Sequence, residues 1–238
     1  MKIQAVGQST FVVTLADGRT ILLDPWFSEH FLARREIPLP FAIKAVPRCT
    51  AVLASHNHID HVDRVSLLAA RQMGATLVGP RGVTRRGQRW GVADCRPLRR
   101  GERLELPGFS VEAVFATHPL CVAPIGFLVT DSDGTTLYHS GDTRYDPRIV
   151  EDLAGRRVDA ACLQIAAVRY PVIGRDGMNI EEAARLAEEI QAGVAIPMHY
   201  HVKGKVENAS SFALRAAPHG RVLEPGASFE VLAGHGRS

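Results

Sequence analysis

The run Ser55-His56-Asn57-His58-Ile59-Asp60-His61 places three imidazoles and a carboxylate within six residues. Neutral imidazole nitrogen and carboxylate oxygen are the donors that zinc and its neighbours accept, so this run suits a pair of divalent ions. His56 and His58 alternate with Asn57 and Ile59, so both rings can point one way and share one ion. Asp60 and His61 then turn away and can serve a second. A solvated histidine-rich loop is the competing reading, and the flanks argue against it.

Upstream, Thr50-Ala51-Val52-Leu53-Ala54 is an apolar run of the kind a buried strand uses. Downstream, Val62, Val65, Leu68, Ala69 and Met73 recur at helical spacing until Gly74 offers a stop. The cluster thus occupies a strand-to-helix loop, where a rigid scaffold holds chemistry. Four donors are too few for two ions, and three more follow apolar or β-rich runs: His118 after residues 111–117, Asp142 after 136–141, and His199 after 194–198. His201 shares the strand face of His199 and competes with it. His30, His139, His219 and His235 read as surface or hydrogen-bonded residues.

The remaining elements follow from periodicity. Strands are expected near 2–7, 10–16 and 20–24, then a loop over 26–47, strand 50–54, helix 62–73 and strand 76–79. An arginine-rich helix or turn precedes strands near 104–106 and 110–116. Residues 125–130 and 135–138 flank Asp131-Ser132-Asp133-Gly134, a strong hairpin signal. The second half reads helix 146–153, strand 158–165, helix 180–191, strand 194–198, helix 207–216 and two short final strands. Asn179 with Glu182 forms a capping-box start for the 180–191 helix, whose buried stripe is Ala183, Ala184, Leu186, Ala187 and Ile190. Strands followed by helices in each half imply two sheets packed face to face with helices outside.

Ser-His-Asn-His-Ile-Asp-His, Thr117-His118-Pro119, Ser140-Gly141-Asp142-Thr143 and Pro197-Met198-His199-Tyr200 resemble the successive motifs of the metallo-β-lactamase fold superfamily. The opening residues 1–11, with Ile21-Leu22-Leu23-Asp24-Pro25 behind them, further resemble its UlaG-like branch, whose named member is a lactonase of ascorbate 6-phosphate. The resemblance runs to about Tyr200 and implies an α/β fold, the four-layer αββα sandwich. It implies that His56, His58 and His118 hold one metal, that Asp60, His61 and His199 hold the other, and that Asp142 bridges them. Asp24 matches the family's early aspartate, which fixes a ligating ring; His61 is the expected partner, and a turn role before Pro25 competes with this.

Two divalent cations bring plus four, and Asp60, Asp142 and a bridging hydroxide remove roughly three, so the centre can bind an anion and stabilise an oxyanion. The expected reaction is attack by that metal-bridging hydroxide on an ester or lactone of an anionic small molecule, with Asp60 orienting the nucleophile and shuttling a proton as the family suggests. A phosphodiesterase and a non-catalytic metal- or ligand-binding protein are the alternatives. Five imidazoles and two carboxylates favour zinc, with manganese or iron also accommodated. The usual β-lactamase cysteine in place of Asp142, the helical tail of glyoxalase-type thioesterases and the RNA-gripping arm of RNA-processing relatives are all missing. Trp26, Arg144 and Tyr145 are candidate substrate contacts, as are Lys203 and Lys205, which follow His199; surface placement is the competing reading for each.

A chain of 238 residues with 46% hydrophobic content can bury one large core, and a single domain over 1–238 is expected. No run of about eighteen apolar residues appears and the start enters a strand pattern at once, so no membrane association and a cytoplasmic location are expected. Cys49, Cys95, Cys121 and Cys162 are scattered without a Cys-x-x-Cys pair, as reduced thiols are. The charge of +3 comes mostly from arginine, including Arg81, Arg85, Arg86, Arg89, Arg96, Arg99 and Arg100. That group reads as a solvated surface and lacks the interleaved aromatics of a nucleic-acid binder. Association into a homo-oligomer is compatible with all of this.

Overall fold

The computed structural model describes residues 1–29, 35–119, 121–172, 174–200 and 208–234. His30, His201, Lys203, Lys205 and His235 lie outside them. The first half runs β1 (Lys2–Gly7), β2 (Thr10–Thr14), β3 (Thr20–Leu23), β4 (Cys49–Leu53), α1 (Arg64–Met73), β5 (Thr76–Gly79), α2 (Arg81–Arg89) and β6 (Cys95–Pro97). The second runs β7 (Arg103–Leu106), β8 (Phe109–Phe115), β9 (Ile125–Asp131), β10 (Thr136–His139), α3 (Pro147–Leu153), β11 (Ala160–Gln164), β12 (Arg169–Tyr170), β13 (Gly174–Arg175), α4 (Ile180–Glu189), β14 (Val194–Met198), α5 (Asn208–Arg215) and β15 (Ser228–Glu230).

These strands form a seven-stranded sheet in the order β15-β1-β2-β3-β4-β5-β6 and a six-stranded sheet in the order β14-β11-β10-β9-β8-β7, with β12 and β13 a separate small ribbon. The central strands read as continuous apolar runs because both faces are covered. Their side chains nonetheless alternate in destination. Ile21 and Leu23 meet Phe127, Val129 and Cys162 between the sheets. Leu22 points outward to Leu67 and Val83 beneath α1 and α2, while Leu128, Ala161 and Leu163 point outward to Ile149, Leu186 and Phe212 beneath α3, α4 and α5. Each such fully buried side chain stabilises the fold by roughly 1.5–3 kcal/mol. The result is the expected αββα order of layers.

Element boundaries moved for identifiable reasons. Helix α1 starts at Arg64 because Asp63 is its cap, its carboxylate accepting from Ser66 N at 2.7 Å and from Phe27 N at 2.8 Å. Helix α3 starts at Pro147 behind the Asp146 cap, and the capping box of Asn179 and Glu182 opens α4 as expected. The arginine-rich stretch is a helix, α2. Edge strand β6 went unpredicted; it ends at Pro97, tolerable there because an edge need not donate on both sides. The ribbon of β12 and β13 was also unpredicted. Of the two closing strands only β15 forms, and the other shrinks to a bridge between Ala195 and Gly220, since Pro218 and Pro225 interrupt the segment.

Among the described residues no helix is long and apolar enough to cross a membrane. The four cysteines are free thiols, with Cys49 and Cys162 buried in the core and burial raising the Cys49 thiol to about 12.

Helix α2 can lie flat on its sheet because Gly87 has no side chain: a Cβ there would sit 2.1 Å from Leu77 Cδ2 and 3.2 Å from Cys95 Sγ. Gly87→Leu should therefore lift the helix and destabilise the protein by about 1–3 kcal/mol. The denaturant midpoint measures it, and an unchanged midpoint would contradict this packing.

Candidate metal centre

Five strands from the two sheets end at one edge of the sandwich. The first sheet delivers Asp24 after β3 and residues 55–61 after β4; the second delivers His118 after β8, Asp142 after β10 and His199 after β14. Strands β3 and β4 run parallel, as do β10, β11 and β14, so their carboxyl ends open on a common rim. Ligand crevices in α/β sheets form at such ends.

All seven sequence-predicted donors converge there, in three overlapping groups whose donor atoms lie within 4.8 Å of one another: His56, His58 and His118; His56, His61 and Asp142; Asp60, His61 and His199. His118 Nε2 is 3.2 Å from His58 Nδ1. Asp142 Oδ2 is 3.2 Å from both His61 Nε2 and His199 Nε2 and 4.0 Å from His118 Nε2, and Asp60 Oδ2 is 3.4 Å from His199 Nε2. Two nitrogens on one tetrahedral ion at about 2.0–2.1 Å sit about 3.3–3.4 Å apart, which is close to these separations. His56 Nε2, His61 Nε2 and Asp142 Oδ1 are buried without a hydrogen-bond partner. Such orphaned buried atoms are costly unless something else binds them. The residues present thus fit a divalent-ion centre.

Three of the rings, those of His56, His61 and His118, are held by their other nitrogen. Asp24, wholly buried, accepts from Ser55 N at 2.6 Å, from Ser55 Oγ at 2.7 Å and from His61 Nδ1 at 2.7 Å. Because Ser55 Oγ donates to Asp24, it accepts from His56 Nδ1 at 2.9 Å. One aspartate therefore fixes two rings, His61 directly and His56 through a hydroxyl, and turns both Nε2 atoms toward the rim. His118 Nδ1 donates to the Asp176 carbonyl at 2.7 Å. His199 donates its backbone N–H to Gln8 O at 3.0 Å, and the Gln8 amide nitrogen lies 3.1 Å from His199 Nε2.

Gly141 brings Asp142 into place. Its φ is +57° and a Cβ there would lie 2.6 Å from Ser55 Cβ, so only glycine passes. Its N–H donates to His139 Nδ1 at 3.1 Å, and the opposite nitrogen of that buried ring donates to Ser9 O at 3.1 Å. His139 is thus a neutral structural ring, and burial holds its pKa down. Backbone strain gathers here too: Gln8 (φ 55°), Asp24 (φ 40°) and His199 (φ 59°) are non-glycine residues in the left-handed region. Such outliers persist where surrounding structure over-determines them.

The charges are strongly coupled. Burial alone would raise Asp142 and Asp60, but His199 and His61 beside Asp142, and His61 and His199 beside Asp60, hold both below the usual carboxylate range. Burial would lower His61 and His199, and the carboxylates of Asp142 and Asp60, with Asp24 also acting on His61, raise them instead. His56 goes the other way, lowered by burial and then by His61.

Asp24 partners His61, and Ser55, Gln8 and His139 are supporting residues that periodicity alone does not flag. Trp26 is buried at 2% exposure, its ring beneath the Arg35 guanidinium at 3.9 Å. Arg35 also donates to the Trp26 carbonyl. Tyr145 packs with the outer helical layer, where its hydroxyl donates to Glu189 at 2.7 Å. Half-buried Arg144 donates from Nε to the Arg175 carbonyl beside the small ribbon. Lys203 lies outside the described residues.

Residues 19–200, which hold all seven donors, match the β-lactamase superfamily domain. A metal-dependent hydrolase of Rubrobacter xylanophilus is 30% identical, the match covering 84% of this chain and 81% of that protein. Another, from Methanopyrus kandleri, is 29% identical over 97% of this chain and all of its own length. Among solved structures, a metallo hydrolase named Igni18 from Ignicoccus hospitalis superposes with a TM-score of 0.78 at 24% identity, covering 97% of this chain and 99% of that one. With this fold, this rim and these relatives, the chain belongs to the β-lactamase superfamily.

Proposed function

We propose that this metal-dependent hydrolase opens an ester or lactone bond of an anionic small molecule at a centre of two divalent ions. The observation that carries it is the convergence of seven donors, three of them buried and orphaned, at one rim. His56, His58 and His118 would hold one ion and Asp60, His61 and His199 the other, with Asp142 between them. Ions in such a site supply Lewis acidity and ionise water near neutral pH. Zinc suits the imidazole-rich set best, and manganese or iron remains compatible with it.

The chain's own residues do the rest. The Asp60 side chain is 23% exposed while its neighbour His61 is fully buried, so Asp60 reaches the solvent side of the rim and can orient a water and take its proton. Ser55, Asp24 and the Asp176 carbonyl keep the rings from rotating as charge develops. Gln8 Nε2, 3.1 Å from His199 Nε2, borders the same rim. The likeness to the ascorbate-phosphate lactonase branch supports ring-opening of a lactone.

Protein purified without added metal should contain more than one equivalent of divalent metal by elemental analysis, and chelation should abolish hydrolysis until metal is restored; one equivalent or less would refute two ions. Asp24→Asn should weaken metal affinity about 10- to 100-fold, because His61 loses its acceptor and Ser55 its anchor. Competition against a chromogenic chelator reads this directly. A panel of sugar-phosphate lactones and bis(p-nitrophenyl) phosphate tests the reaction class: turnover of the lactones is expected, and activity on the diester alone would overturn the lactonase reading in favour of a phosphodiesterase.

A further inference from the structure

Beside the rim lies a cleft of about 790 Å3 between α2 and the segment 121–124. Asn57, standing between donors His56 and His58, lines it, as do Phe115 and Ala116 on the strand that delivers His118. Its walls differ in character. Arg81, Arg85, Arg99 and Arg100 line one part and, among the described residues, no acidic side chain lines it, while Leu98, Phe115, Pro124 and Ile125 give it an apolar floor.

Among the described residues ten arginines pair with a carboxylate within 4 Å, and Arg100 is one of them, donating from Nε and Nη2 to Asp152. Arg81, Arg85 and Arg99 are exposed and their guanidiniums form no ion pair among the described residues, while the Arg99 backbone N–H donates to Glu102 Oε2 at 2.9 Å. Guanidiniums gathered around one cleft suit a multiply charged anion, since each presents a fork matched to phosphate oxygens. The first turn of α2, which lacks a side-chain cap, opens on the same space and adds its positive end.

We propose that this cleft is the subsite for the non-reacting end of the substrate, and that it takes a phosphate monoester dianion carried on an apolar, aromatic or alkyl body. The arginines hold the phosphate and the apolar floor holds the body, which distinguishes the ligand from a bare sugar phosphate. The inference rests on the hydrolase reading for what is done to the bound molecule, and on the cleft alone for what is bound.

Phenylphosphonate, which cannot be hydrolysed at phosphorus–carbon by such a site, is the probe, titrated calorimetrically into the full chain at fixed ionic strength. It should bind the wild type more tightly than methylphosphonate, weaken at least tenfold in Arg85→Gln/Arg99→Gln, and still bind His118→Ala. Both arginines are on the surface, so their replacement leaves the core intact, and an unchanged metal content checks it. Absence of binding to the wild type, or loss in His118→Ala with the arginine pair unaffected, would overturn the subsite while leaving the hydrolase reading in place. Equal affinity for methylphosphonate would overturn the apolar body. A single-stranded oligonucleotide binding the cleft where phenylphosphonate does not would overturn it in favour of a nucleic-acid surface. Arginine-dependent phosphonate binding in a protein that hydrolyses none of the lactones or esters would uphold the subsite and sink the hydrolase reading.

Discussion

A single buried carboxylate, that of Asp24, organises the rim. Removing a carboxylate from water is expensive, and it becomes tolerable only when hydrogen bonds replace the lost hydration. Asp24 obtains three, from Ser55 N, Ser55 Oγ and His61 Nδ1. Those bonds choose the tautomers of two rings, draw the end of β4 against the end of β3, and set Ser55 where Gly141 must pass. The position of Asp142 thus follows from the surroundings of Asp24, although the two lie on different sheets.

The same economy explains the backbone. Gln8, Asp24 and His199 each accept a left-handed φ, a conformation that costs of order 1–3 kcal/mol for residues with a side chain. Each lies just beyond a strand, where a turn of the chain re-aims a functional group that an extended continuation would send away from the rim. The sandwich, stabilised by its continuous core between the sheets, absorbs this cost. Local strain and buried charge are concentrated at the rim because the rest of the fold is regular.

Much of this was legible in the residue order. Alternation and apolar runs located the main strands, Asn179 and Glu182 marked α4, and histidines or aspartates at strand ends marked all seven donors that the fold gathers. What stayed hidden depends on through-space neighbours. Ser55 links His56 to Asp24 across two strands, and Gln8 meets His199 across nearly the whole chain; no spacing announces either. The packing of Trp26 and Tyr145 is hidden for the same reason. Proximity in sequence to Asp24 or Asp142 does not say which face a side chain takes, and these two turn toward Arg35 and Glu189.

The division of donors between the two sheets has a mechanical consequence. His58 and His118 approach to 3.2 Å from opposite sheets, as do His61 and Asp142. Anything bound between them fastens the layers together at their open lip, much as a rivet joins two plates. Free energy of binding an ion there would also be free energy of holding the two sheets together at this edge. Loading with metal would then set how stiff this edge of the molecule is.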